Sequence, residues 1–301
     1  MKTYSLRSRK SKVQAENFAR VFPGDRSFAL FVDSLPDILA GKEFKQFVQI
    51  IKRAKSKSKP IIFAMGAHVI KVGLSPIIID LIEEGYIDAL AFNGAGIIHD
   101  FEIAFAGQTS EDVAVQLKDG RFGMARETGE MLNRCISLGA RRNLGLGEAV
   151  SRMIASSSFP HKESSLFAIA GERGIPVTVH VALGTDIIHF HPDVNGAALG
   201  KTSLKDFFLF CSLIEKLDGG GVFVNVGSAV VLPEVFLKAV SYVRNSGRPL
   251  NHFHTAVFDF MSHYRPQQNV VKRPISGKGK GFYFIGHHEI MIPLLAAALK
   301  S

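Results

Sequence analysis

Residues 42–301 alternate short apolar runs with stretches whose apolar side chains recur at helical spacing. Phe44, Phe47, Val48 and Ile51 fall at i, i+3, i+4 and i+7, one face of a helix, and Pro60 to Met65 then has the length of a buried strand. Ser75-Pro76 joins a capping residue to a proline suited to the first helical turn, so a helix is expected from there to about Glu84. Ile87 to Phe92 reads as the next strand. Further helices are expected near Gly123–Leu138, Glu148–Ser157, Ser164–Arg173, Leu204–Leu217, Pro233–Asn245 and Glu289–Leu299. Strands are expected near Val177–Val181, Val222–Val226, Asn251–Val257 and Gly281–Ile285. Parallel strands need a helical crossover between them, so this alternation predicts an α/β fold with a largely parallel, wound sheet. The simplest division is an N-terminal extension over 1–41 and one domain over 42–301.

Composition narrows the class. With 47% of 301 residues hydrophobic, the chain can bury a large core and is not disordered in bulk. The 24 phenylalanines sit mostly at helix or strand periodicity and supply core volume that tryptophan does not. No apolar run reaches the ~18 to 20 residues of a spanning helix, and the basic start (Lys2, Arg7, Arg9, Lys10) leads into no hydrophobic segment. Neither a membrane location nor secretion is expected. Cys135 and Cys211 each lie in an apolar helical pattern without metal-type spacing, which reads as packing thiols in a reducing cytoplasm. Much of the +9 net charge comes from Arg7–Lys12 and Lys52–Lys59. Both stretches lie at a terminus or between elements and lack the aromatics on which single-strand binders stack bases, so solvated lysines are expected rather than a nucleic-acid surface.

Ligands of open α/β sheets collect beyond the C-terminal ends of the strands, which makes the residues after each strand informative. They are Gly66-Ala67-His68, Asn93-Gly94-Ala95-Gly96 and Leu183-Gly184-Thr185-Asp186, with Gly219-Gly220-Gly221 preceding a further strand. Glycine lets the backbone approach a pyrophosphate, and the amides of a following helix supply donors and a positive dipole end. Asp186 can accept from ribose hydroxyls. One such turn is commonly structural; four in one chain point to a dinucleotide of the NAD type.

The order of these motifs resembles the deoxyhypusine synthases. Pro60 to Glu102, the Thr185-Asp186 pair, the Gly219–Gly221 run, the Thr255-Ala256 pair and Ile292-Pro293-Leu294-Leu295 occur in that family's order and at comparable spacings, across most of residues 60–300. The Gly94-Ala95-Gly96 turn is also similar to that of the sirtuins, whose cysteine zinc module is missing. The resemblance implies an NAD-binding Rossmann-like subunit with helices on both faces of the sheet, assembled as a homotetramer with sites at subunit interfaces. Carried over by position, the cofactor contacts are Gly66, Ala67, Asn93, Gly94, Ala95, Gly96, Asp186, Gly219, Gly220, Thr255 and Ala256, with His287 where the family has an aspartate. The catalytic half departs from the pattern. Pro274, with Lys272 two residues earlier, stands where the family needs an imine-forming lysine, and Asn225-Val226 replaces a histidine pair. His191 and His263, near Arg265, Lys272 and Arg273, replace polyamine-binding carboxylates, which would repel a polycation. A small neutral or anionic substrate is expected instead.

Alternate residues of a strand face the same way, so His189 and His191 are expected together at the rim near the nicotinamide, as general acid or base. The bland reading is two strand-end histidines bonded to backbone. Metal binding with His252 and His254, or with His287 and His288, would need a ligand spacing that the sequence lacks, so no metal is expected. His68 and His99 read as loop-orienting, and Glu102, Glu127 and Glu130 as solvated helix faces. Ser276 to Gly281 leads into a strand rather than a helix and so reads as a basic loop, not a phosphate loop. The expectation is an NAD-dependent oxidoreductase or transferase. A metal-dependent hydrolase and a non-catalytic nucleotide-binding paralogue are the alternatives.

Overall fold

The apolar runs become six strands, β1 (Ile61–Met65), β2 (Ala89–Asn93), β3 (Val177–His180), β4 (Gly221–Val226), β5 (Phe253–Asp259) and β6 (Gly281–Ile285). They form one sheet in the order β3-β2-β1-β4-β5-β6, every neighbouring pair parallel. The structure is a computed structural model and describes residues 15–301 apart from Pro23, Asp25, Arg26 and Ser276. The basic stretch Arg7–Lys12 lies outside the described residues.

A sheet covered on both faces needs strands that are apolar on both, which is why the runs are continuous rather than alternating. Ile61, Phe63 and Met65 of β1 enter one core, while Ile62 and Ala64 enter the other. Before and between the strands, and after the last of them, run helices α1 (Phe28–Ser34), α2 (Leu39–Ser56), α3 (His68–Lys71), α4 (Ser75–Glu83), α5 (Gly94–Ala106), α6 (Val113–Gln116) and α7 (Arg126–Arg141). They continue as α8 (Leu146–Ala155), α9 (Leu166–Arg173), α10 (Gly196–Glu215), α11 (Val231–Asn245), α12 (Tyr264–Pro266) and α13 (His288–Lys300). The larger core holds α2, α4, α5, α7, α8, α9 and α13; the smaller holds α11 and the later turns of α10. In α2 the predicted face is the buried one, and Phe47 packs against the rings of Phe258, Phe282 and Phe284 at 5.4–5.9 Å.

Several boundaries differ from the sequence reading. Asn93 to Gly96, a turn in that reading, is the N-cap and first turn of α5. The helix expected from Leu204 begins at Gly196, because the Asn195 side chain accepts from the Ala198 amide at 2.9 Å and caps it there. The strand expected at Asn251–Val257 starts at Phe253 and runs to Asp259. Helix α2 starts at Leu39, ahead of the 41/42 boundary. Among the described residues, no helix is long and apolar enough to cross a membrane.

Candidate functional site

All strands of a parallel sheet end at one edge, and there a cavity of about 190 Å³ opens between α5 and the loop after β3. Ala95, Ile98, His99 and Glu102 reach it from a single face of α5, by the same i, i+3, i+4, i+7 spacing that defines an amphipathic helix. Thr185, Asp186 and Ile187 close the opposite wall, Lys71 of α3 borders it, and Ser110, Glu111, Val113 and Phe122 of the segment after α5 contribute the rest.

Polar groups at this wall are left unsatisfied. The first N–H groups of any helix lack intrahelical partners, and the side chain of the N-cap Asn93 does not bond them. The Asn93 Oδ1 and Asp186 Oδ2 atoms are buried without hydrogen-bond partners among the described residues. A Cβ on Gly94 would lie 2.1 Å from Asp186 Oδ2, so only glycine there lets the carboxylate rest on the start of α5. Burial holds the Asp186 carboxyl up at about 6. His189 accepts from the amides of Gly184 and Asp186 at Nδ1, 3.1 and 3.3 Å away. Its proton is therefore on Nε2, which faces Asp186 Oδ2 at 3.8 Å.

A second chain of bonds runs along α5. The Thr109 hydroxyl donates to Glu102 Oε2 and so accepts from His99 Nδ1, 2.7 Å away; Thr128 donates to Glu102 Oε1 at 3.0 Å. The proton of His99 is thus fixed on Nδ1, and Nε2 carries a lone pair with no hydrogen-bond partner among the described residues. Burial, reinforced by the Lys71 charge, lowers its pKa to about 4, so the ring is neutral at pH 7. Neither His99 nor Glu102 stands out in the sequence as part of the site. Their spacing from Ala95 was the available signal, usable only once α5 is known to start at Gly94.

The remaining expected residues separate into distinct places. His189 and His191 are not on a strand: β3 ends at His180, and Ile187–His189 is a 3-10 turn. His189 turns in to Asp186, while the His191 ring lies against α7, where a Cβ on Gly129 would come within 2.1 Å of it. His191 is not among the residues lining the cavity. Gly66 lies at the same edge but serves strand packing, since a Cβ there would stand 2.4 Å from the Gly227 carbonyl; Ala67 beside it is buried. His287 caps α13 beyond β6, exposed and 3.8 Å from Glu289. Thr255 and Ala256 are fully buried inside β5, the threonine hydroxyl donating to the Val270 carbonyl. Gly219 and Gly220 precede β4 and lie at the opposite edge, so the structure does not bring them to the cavity. Among the described residues, no three His, Cys, Asp or Glu side chains are arranged to hold a metal ion, which leaves the hydrolase alternative without support.

No protein-family model and no curated protein sequence matches the chain. Solved structures do. A protein from Entamoeba histolytica assigned provisionally as a deoxyhypusine synthase is 12% identical, with TM-score 0.53 over 93% of this chain and 96% of that one. A conserved LOR/SDH protein of Methanococcus maripaludis, also a provisional assignment, is 14% identical, with TM-score 0.52 over 92% of this chain and 70% of that one. AgrE, solved as a ternary complex with ornithine and NAD+, is 14% identical, with TM-score 0.50 over 92% of this chain. The chain spans about a third of the length of AgrE and of the cyanobacterial arginine dihydrolase ArgZ. At such identities the likeness is one of fold, and the fold is deoxyhypusine synthase-like.

Proposed function

From a deoxyhypusine synthase-like fold as premise, we propose that this chain is an NAD-dependent enzyme whose cofactor lies along the C-terminal edge, over the start of α5. The supporting observation is the set of unsatisfied groups there: an uncapped helix start, a bare Gly94, and the buried, unpartnered Asn93 Oδ1 and Asp186 Oδ2. Helix amides suit a diphosphate, and a carboxylate oxygen without a donor suits a ribose hydroxyl, so the residues fit the group. The cavity is smaller than the roughly 300 to 1,000 Å³ of whole-ligand pockets, and so takes only one end of a dinucleotide. Bound NAD+ would supply hydride acceptance.

The chain's own part is proton handling and exclusion of water. His99, a neutral ring lining the cavity, takes the proton at Nε2, and the Thr109–Glu102 chain holds the ring in that tautomer. His189, held by two backbone amides, orients Asp186; His191 has no part in this reading. Glu102, Glu111 and Asp186 outnumber Lys71 at the wall, which favours the neutral of the two expected substrate classes. Exposed Val113, Val115, Leu117, Leu183 and Phe190 lie on the segments flanking the cavity, and burying them between copies would build the homotetramer that the resemblance implies.

Heat denaturation with and without NAD+ tests the reading. Millimolar NAD+ raises the melting temperature of the wild type, and Asp186→Ala loses that rise; no rise in the wild type overturns the cofactor assignment.

A further inference from the structure

The edge where the strands begin gathers features that the cofactor site does not use. The lysine-rich link into β1 meets the turn between α10 and β4 there, and a cleft of about 490 Å³ opens beside it. Lys55, Ser58, Lys59, Gly85, Asp88 and Lys216 line it. Three of these are cations brought from separate elements. Lys55 Nζ donates to the Glu84 carbonyl and stands 3.8 Å over the Tyr86 ring. Lys59 Nζ donates to the Asp218 carbonyl at 2.9 Å, in space left by Gly219, whose Cβ would lie 2.6 Å from it. The ammonium group of Lys216, at the end of α10, has no partner among the described residues.

None of the three ammonium groups forms an ion pair among the described residues, whose lysine ion pairs involve Lys45, Lys162, Lys238, Lys280 and Lys300. An ammonium has three donors, and a carbonyl occupies one of them on Lys55 and on Lys59. These two are therefore positioned cations with donors to spare, which surface lysines ordinarily are not. The single carboxylate of the wall, Asp88, turns Oδ2 to the Ile61 amide at 2.8 Å. Three positive charges against one negative, in a concave site, select a compact ligand with several negative charges. Lysine meets phosphate as a point charge.

We infer that this cleft binds the phosphate chain of a nucleotide or an inorganic polyphosphate, at a site about one strand length, roughly 17 Å, from the cofactor edge. Tyr86 is buried beneath Lys55, so no exposed aromatic ring lines the cleft to stack a base, and recognition rests on the phosphates.

Calorimetric titration of the full chain with inorganic tripolyphosphate at low ionic strength tests this. The expected result is saturable one-to-one binding, weakened at least about fivefold by Lys216→Gln, the factor that one charge at ~4 Å is worth even in water. The Lys216 side chain makes no hydrogen bond or ion pair among the described residues, so that variant keeps the fold; Lys59→Gln weakens binding likewise, and Asp88→Asn tightens it. Adenosine triphosphate binding as tightly as tripolyphosphate identifies the phosphate chain as the whole determinant; tighter binding adds a nucleoside contact, and either outcome supports the site. The inference is overturned if tripolyphosphate does not saturate, if Lys216→Gln and Lys59→Gln bind it like the wild type, or if a single-stranded oligonucleotide displaces it from a longer basic track. The NAD+-induced melting shift is unchanged in Lys216→Gln, which separates this test from that of the cofactor site.

Discussion

Asp186 carries the cost of the site. A buried carboxylate with one oxygen unsatisfied is costly, and burial raises its pKa to about 6. The folded protein keeps a proton that the unfolded chain releases near pH 4, so this group lowers stability as pH rises from about 4 to about 6 and the full loss is present above that. Asp186→Asn should therefore be more stable than the wild type at pH 8, by up to about 3 kcal/mol, with the difference vanishing below pH 4. Urea unfolding at the two pH values measures it, and a variant that is less stable at pH 8 would contradict the account. Hydrogen bonding, not pKa, separates Asp186 from Asp100, whose carboxyl is also raised by burial to about 6 but takes hydrogen bonds from Ser165 and the amides of Leu166 and Phe167 at the start of α9. Asp100 is a structural cap. Asp186 Oδ2 has no hydrogen-bond partner among the described residues.

Elements were legible to differing degrees, and the reason is the kind of signal each carries. Helix α2 shows its buried face in the sequence because Phe44, Phe47, Val48 and Ile51 repeat at the helical period, and burial of that stripe is what holds the helix to the sheet. Phe47→Ala should cost about 3–5 kcal/mol in chemical denaturation, since the ring is fully buried among Phe258, Phe282 and Phe284; a loss under 1 kcal/mol would mean that the cluster repacks. Helix α5 is harder to read. Two glycines in its first turn carry the composition of a loop, and their helical conformation follows from docking, with Gly96 pressed on Phe92, where a Cβ would lie 2.7 Å from the ring. The loop holding His189 and His191 misleads in the opposite direction. Alternation over Ile187–His191 imitates a strand, but Asp186 and His189 close a 3-10 turn instead.

Over the whole molecule, buried titratable groups pull stability in opposite directions with pH. Asp100, Asp186 and Asp206 are raised by burial to about 6, 6 and 7, and each lowers stability as pH climbs from about 4. His99, His180 and His254 are lowered by burial to about 4, 3 and 4. Below pH 6.5 the unfolded chain takes up protons that these folded rings refuse, so they lower stability as pH falls towards 4. The two sets oppose each other between about pH 4 and 6.5. The unfolding midpoint in urea should fall less towards acid across pH 4.5–6 in the wild type than in the double variant Asp186→Asn, Asp206→Asn; equal acid losses in the two would show that these carboxylates are not buried as described. The sequence by itself determined the fold class, the strands and most helices, because periodicity is a local property that burial acts on directly. It also marked Asn93–Gly96 and Asp186 as contacts of one cofactor. Only the tertiary structure decided that Asp186 rests on Gly94, that His99 and Glu102 join them, that Thr255 and Ala256 are core, and that Gly219 and Gly220 lie at the opposite edge, Gly219 beside Lys59. Residues distant in sequence become neighbours through strand order and helix docking, and a charge's role depends on what lies within a few ångströms of it.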